Sequence, residues 1–379
     1  MEKIIIAGDF VPQNRISALI ETGNFSDVFS DIVPITSESD YNIINLEAPI
    51  VSGEGIPIIK NGPNLKTNAL AIDALKWAGF NCVTLANNHF YDYGEKGVRD
   101  TLTACRERCI DYVGAGLNLA EASQTLYKEI HGKTFGIINC CEHEYSIATE
   151  NSGGSNPINP IQQYHAISEA KKHADHVIVI CHGGIEYFQY PTSRMIEWYR
   201  FFIDVGADAV INHHQHCYSG YEIYKGKPIF YGLGNLCFDR SDKRNSSWNK
   251  GYLVELIFEG DQISYNLIPY IQCGEKPEIR RINPQIFSAC INSINEIIRE
   301  EKRLASVFDD FVRSKDFEYD MIFLPYNCKI LKKLYRYNIL PNFFTKYKLS
   351  RVRDLLSCES HNDKFKLYIM QLYNKQYFR

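Results

Sequence analysis

Lys3-Ile4-Ile5-Ile6-Ala7-Gly8-Asp9 opens the chain with a run of β-branched residues that stops at a glycine and a carboxylate. A short apolar run of this kind reads as a buried strand, and the polar residue after it stands at the strand's carboxyl end. The same unit recurs outward along the chain. Residues 41–46 lead to Glu47, 81–85 to Ala86-Asn87-Asn88-His89, 176–181 to His182-Gly183-Gly184, and 209–212 to His213-His214-Gln215-His216. Further strands are expected over 134–139 and 228–231, and those over 251–258 and 262–269 flank Glu259-Gly260-Asp261, a hairpin turn signal. Helical patterns fall over 68–78, 96–108, 162–173 and 192–205, each ending near a glycine or an aspartate-containing turn. Such alternation predicts an α/β sandwich.

In open α/β sheets the ligand crevice lies outside the carboxyl ends of the strands, so metal-ligand residue types just past five strands form a convergence signal. A lone His after a strand is more often a hydrogen-bonded structural residue, and a lone Asp after Gly is usually a turn. The joint occurrence of carboxylate, carboxylate, Asn-His, His and His-x-His points to a metal, because imidazole with carboxylate suits Zn, Mn, Fe and Ni. If His214-x-His216 is extended, its two rings point to the same side; around a turn, both reach two neighbouring metals. His213 is then expected to face away, in a packing or supporting role.

The bulk properties narrow the class. With 379 residues and 43.6 kDa the chain has room for one large domain plus an appendage. A formal charge of -4 gives no whole-molecule attraction for nucleic acid, and none is expected as a partner. The twelve cysteines form no C-x-x-C pair, and Cys82, Cys140 and Cys181 sit inside apolar runs, so they read as reduced core residues. The opening residues lack the form of a signal peptide and no stretch of about 18 apolar residues appears, which makes a cytoplasmic location the expectation.

Near residue 275 the pattern changes. Gly274-Glu275-Lys276-Pro277 reads as a linker between a catalytic domain over 1–274 and a helical, Tyr/Phe-rich region over 278–379. From Arg313 to Arg379 there are 14 Lys/Arg against 6 Asp/Glu. That surplus reads either as a solvated helical surface or as a partner surface for an anionic polymer, lipid headgroups or nucleic acid. Residues 151–157 form a long loop, and long loops inside compact domains are often functional.

A family resemblance rests on particular motifs. Gly8-Asp9, Asn45-Leu46-Glu47-Ala48-Pro49, Asn87-Asn88-His89-Phe90-Tyr91-Asp92-Tyr93-Gly94, His182-Gly183-Gly184, His214-Gln215-His216 and Tyr231-Gly232-Leu233-Gly234-Asn235 occur in an order that resembles the CapA family of bacterial capsule (poly-γ-glutamate) synthesis proteins. That family is similar to the calcineurin-like metallophosphoesterases. The resemblance implies a four-layer α-β-β-α sandwich, here with a helical C-terminal extension, and two divalent ions, Mn, Zn or Fe. It implies Asp9 and His216 as first-metal ligands, Glu47 as the bridging carboxylate, and Asn88, His182 and His214 as second-metal ligands. His89 stands where the family's residue contacts substrate and protonates a leaving group, and Asp92, three residues on, is placed to orient it. Glu186, Tyr187, Arg194 and Asn235 are candidate substrate-binding residues, and Arg240, Lys243 and Arg244 could add positive charge for an anionic small-molecule or polymer substrate.

Three departures stand out. Asp9-Phe10-Val11 lacks the histidine of the usual Asp-x-His, Glu47 replaces an aspartate, and Gln215 replaces a proline. The implied function is a metal-dependent hydrolase of a phosphoester or amide bond in capsule or related surface-polymer metabolism. The alternative is a non-catalytic assembly component that binds an anionic polymer in the same cleft.

Overall fold

The computed structural model of the protein describes residues 1–326 and 328–377; residue 327 and the last two residues of the expected C-terminal region lie outside them. In chain order the strands are β1 (Glu2–Val11), β2 (Tyr41–Leu46), β3 (Cys82–Thr84), β4 (Asp111–Val113) and the short β5 (Ala115–Gly116). They continue with β6 (Leu126–Ile130), β7 (Lys133–Cys141), the short β8 (Gly154–Ser155), β9 (His176–His182), β10 (Ala209–His213) and β11 (Tyr221–Tyr224). The last are β12 (Lys227–Phe230), β13 (Asn235–Phe238), β14 (Lys250–Glu259), β15 (Gln262–Gln272) and β16 (Ile279–Arg281).

One sheet has the order β16-β15-β14-β1-β2-β3-β4. Along one edge of β1, residues Glu2 to Ile6 pair antiparallel with β14, and Asp9 to Val11 pair parallel with β13. The second sheet has the order β11-β12-β10-β9-β7-β6, parallel from β12 to β7 and antiparallel at both edges.

Alternation along β1 decides how the layers stack. Ile4 and Ile6 share a core with Ile178 and Ile180 of β9, whereas Ile5 and Ala7 pack with Ile16, Ile20 and Leu75 from helices. Because successive side chains of a strand point to opposite faces, the two sheets lie face to face with helices outside. On the far side, Ile167, Ala170, Tyr199 and Phe202 of the helices Pro160–His173 and Ser193–Val205 join the core of the second sheet. Those helices start where the sequence supplies caps: the Asn159 side chain accepts from the Ile161 and Gln162 amides, and Thr192 from the Met195 amide. The result is the expected four-layer α-β-β-α sandwich.

The chain divides into compact units at Met1–Val307 and Phe308–Arg379. The linker-like stretch at 274–277 lies inside the first unit, because β16 pairs with β15 immediately after it. The helix Pro284–Arg299 likewise buries Phe287, Ile291, Ile294 and Ile298 in the first unit's core. Its apolar stripe requires a surface to cover, and the sheet provides one. The second unit is helical, with helices Asp316–Phe323, Lys329–Arg336, Lys346–Ser357 and Glu359–Tyr377. Within it the Tyr326 ring lies 5.5 Å from Tyr335, whose hydroxyl donates to Asp320 at 2.7 Å. Among the described residues, no helix is long and apolar enough to cross a membrane.

Candidate metal centre

The centre forms where β1, β2, β9 and β10 end. Gly8 has no room for a side chain: a Cβ there would lie 1.8 Å from the Gly234 carbonyl oxygen. That close approach brings β13 against the end of β1 and sets Asp9 opposite Asn235 in register, with Asn45 of β2 on the other side. The Asp9 carboxylate accepts from the Asn45 side-chain amide at 2.7 Å and from the His214 backbone amide at 3.2 Å. Glu47 follows β2 directly, its amide bonded to the Phe10 carbonyl at 3.1 Å.

His182, the last residue of β9, stands between the two carboxylates. Its Nδ1 is 3.8 Å from Asp9 Oδ1 and its Nε2 is 3.4 Å from Glu47 Oε1. The same Nε2 is 3.0 Å from Asn88 Oδ1 and 3.1 Å from His214 Nδ1. His216 likewise reaches both carboxylates, with Nδ1 3.6 Å from Asp9 Oδ2 and Nε2 3.7 Å from Glu47 Oε1. Among the described residues three donor sets result, Asp9/Glu47/His216, Glu47/His182/His214 and Asp9/His182/His213, each with its ligand atoms within 4.8 Å of one another and all of them buried. Glu47 belongs to the first two.

β10 stops at His213, and the His214-Gln215-His216 segment turns rather than continuing as strand. Both His214 (φ 95°) and His216 (φ 54°) lie at positive φ, a conformation that costs a non-glycine residue about 1–3 kcal/mol. Gln215 pins the turn, its side-chain amide donating to the Phe188 carbonyl at 2.9 Å and the Tyr190 carbonyl at 3.1 Å. His213 departs from its expected outward orientation. It lies opposite His182 in the β9–β10 register, so the two side chains leave the sheet on the same side. One of its ring nitrogens comes within 4.8 Å of ligand atoms of Asp9 and His182.

The electrostatics suit a cation. Glu47 is 0% exposed, and neither of its carboxylate oxygens has a hydrogen-bond partner among the described residues. Burial first, and then the neighbouring Asp9 and Glu186 carboxylates, hold its pKa well above the ordinary range. Burial pushes Asp9 up to about 6 despite its hydrogen bonds. The same burial, with neighbouring imidazoles adding to it, holds His182 and His216 well below the usual histidine range, so they are neutral and present lone pairs. Unpartnered carboxylate oxygens facing neutral imidazoles fit a divalent ion, which stabilises the ionised carboxylate and accepts the nitrogen lone pairs.

Asn88 and His89 are carried by a loop that Ser155 of β8 holds, its hydroxyl donating to the Leu85 and Asn87 carbonyls at 3.3 and 3.1 Å. The predicted 151–157 loop thus supports the centre. His89 Nδ1 is 2.6 Å from Asp92 Oδ2 and 3.1 Å from Lys60 Nζ. Lys60, only 2% exposed at its side chain, also forms an ion pair with the buried Asp92. Asn235 lies beneath the centre, its Oδ1 2.8 Å from His216 Nδ1 and its amide donating to the His216 carbonyl at 3.1 Å.

On the rim, Tyr187 (φ 65°) stacks on Trp248, which in turn lies 4.9 Å from the His216 ring. Glu186 is close enough to raise the Glu47 pKa. Lys243 lies 4.2 Å over the Tyr187 ring, while Arg240 is paired with Asp242. Arg194 is half-exposed and donates to Glu142 at 2.6 Å.

Three polar contributors were not singled out from the sequence. Asn45 lies two residues before Glu47, a spacing that places both on one face of a strand. Glu144 accepts from the Asn88 amide at 3.2 Å and lies 3.7 Å from His214 Nε2. It follows β7, whose end, Cys141-Glu142-His143-Glu144, repeats the unit of strand followed by acid; the expected strand stopped at 139, short of that signal. Lys60 lies in an irregular segment with no periodicity to mark it.

Residues 3–240 match the family model described as bacterial capsule synthesis protein PGA_cap. The PGA biosynthesis protein CapA of Bacillus subtilis (strain 168) is 34% identical over 236 residues, which cover 62% of each chain. The capsule biosynthesis protein CapA of Bacillus anthracis is 33% identical over 243 residues, covering 62% of this chain and 59% of that protein. The match thus spans about three fifths of the length of these relatives. Among solved structures, a hypothetical protein from Thermus thermophilus overlaps 70% of this chain and 99% of its own, with 16% identity and a TM-score of 0.44.

Proposed function

This chain belongs to the bacterial capsule synthesis protein family PGA_cap, within the calcineurin-like metallophosphoesterase superfamily, and from that premise we propose a metal-dependent hydrolase of capsule, poly-γ-glutamate or related surface-polymer metabolism. Its target is a phosphoester or amide bond in an anionic substrate. The observation that carries the reading is Glu47, a fully buried carboxylate without a hydrogen-bond partner among the described residues, set between His182 and His216. A buried, unpaired charge is costly unless a cation compensates it.

Asp9, Glu47 and His216 would hold one divalent ion, and Glu47, Asn88, His182 and His214 a second, drawn from Mn, Zn or Fe. Bound there, the ions would act as Lewis acids that stabilise negative charge on the reacting oxygens. The protein's own groups bind and move protons. Asp92 engages His89 at Nδ1, which fixes the ring and leaves Nε2 as the nitrogen that can protonate a leaving group. Lys60 balances the Asp92 charge. Asn235 fixes His216, and Glu186, Tyr187 and Arg194 would meet the incoming substrate. The setting proposed is the cytoplasm, where cysteines such as Cys140 and Cys181, whose sulfurs make a hydrogen-bonding contact at 3.9 Å, would be kept as thiols.

One observation favours a second reading. Val11, where Asp-x-His would place a histidine, is buried against Trp248 and Phe238 and offers the first ion no ligand. A polymer-assembly component that binds an anionic chain in the cleft without turnover accommodates that loss. Elemental analysis of the purified protein, combined with phosphate release from a generic phosphoester and cleavage of a γ-glutamyl polymer with and without Mn or Zn, separates the two. The hydrolase reading expects bound metal and turnover that disappears in His182→Ala and His214→Ala. Bound metal without turnover on either substrate would leave only the second reading.

A further inference from the structure

The C-terminal unit, Phe308–Arg379, lies outside the matched residues 3–240. From Arg313 to Arg379 the chain carries 14 Lys/Arg against 6 Asp/Glu, although the formal charge of the whole is -4. The charge is segregated on the helix Lys329–Arg336. Lys329, Lys332, Lys333 and Arg336 recur at three- and four-residue steps along one side. Ile330, Leu334 and Tyr337 recur in the same way along the other, with Ile330 71% and Tyr337 65% exposed. In the segment that follows, Ile339 (65%) and Tyr347 (73%) are exposed as well. Single exposed apolar residues are ordinary on a protein surface, but a run of them beside a row of cations marks an interaction surface.

We propose that this unit docks the protein onto an anionic lipid bilayer, with the helix Lys329–Arg336 lying in the interface. Its cations reach phosphate headgroups, and Ile330 and Tyr337 reach the acyl boundary. The partner class follows from the two demands taken together. A polyanion in water, whether nucleic acid or acidic polymer, neutralises the lysines but gives the isoleucines no apolar phase. A second copy of the chain offers apolar surface but brings a unit of like charge against this one. An anionic bilayer meets both demands at adjacent depths, and lysine stems extend from one to the other.

The test is sedimentation of the full-length protein with phosphatidylcholine vesicles that contain either no anionic lipid or about one third phosphatidylglycerol. Binding is expected on the anionic vesicles, weakened by salt and absent from neutral ones. The triple variant K329Q/K332Q/K333Q and the double variant I330S/Y337S should each weaken it roughly tenfold or more. Circular dichroism should be unchanged in both, because the altered side chains lie at the surface. Equal binding to neutral vesicles, or none to anionic ones, would overturn the proposal. So would a soluble polyanion that binds wild type and I330S/Y337S equally while vesicles bind neither, or a dimer in light scattering that I330S/Y337S abolishes without any vesicle binding.

Discussion

Burial sets the chemistry of Asp9 and exposes it to test. Its carboxyl is raised from 3.8 to about 6 in the folded protein, so the metal-free folded state binds the proton more tightly than the unfolded chain. Stability therefore falls as pH rises from about 4 to 6, and above that range the full cost of an ionised, buried carboxylate is present. In metal-stripped protein, Asp9→Asn is expected to raise stability at about pH 7.5 by roughly 2–3 kcal/mol and to change little near pH 4. Chemical denaturation at the two pH values measures this; destabilisation at the higher pH would mean that the Asn45 and His214 hydrogen bonds outweigh burial. Asp9, Glu47, Asn88, His182, His214 and His216 were visible in the sequence because each follows a strand and belongs to a metal-ligand residue type. Lys60 was not, since a lysine in an irregular segment acquires a role only from what it touches, and Glu144 was passed over because the expected strand stopped at 139, short of the end of β7.

The helix Pro284–Arg299 shows what pattern reveals at the scale of an element and what it withholds. The three- and four-residue spacing of Phe287, Ile291, Ile294 and Ile298 makes the helix and its apolar face legible. It does not identify the surface that the face covers, so the sequence grouped this helix with the C-terminal region rather than with the sandwich. Ile291→Ala is expected to cost the first unit about 2–5 kcal/mol, while Ile286→Ala, on the exposed side, should change stability by less than about 0.5 kcal/mol. Equal effects in urea denaturation would show that the helix does not pack on the sheet. The His214-Gln215-His216 turn is a second case. Its spacing was compatible with strand or turn, and only the positive φ values and the Gln215 bonds decide for the turn.

At the scale of the whole molecule, a centre assembled from four strand ends couples ligand binding to folding, because the unfolded chain cannot gather those side chains. Mn or Zn added to metal-stripped protein at about 100 times its Kd should stabilise it by roughly 2.7 kcal/mol and raise the Tm by about 2–4 °C. A rise of the same size in a His182→Ala/His214→Ala double variant would place the ion elsewhere. The sequence by itself determined the sandwich and the residue types at its strand ends, because periodicity and strand-end chemistry are local properties carried by neighbouring residues. Tertiary structure alone decided that His213 turns toward Asp9, that Lys60 reaches His89, that Glu144 meets Asn88, and where the first unit ends. Each of these depends on residues far apart in the chain meeting in a space from which water is excluded, and no local pattern encodes such a meeting.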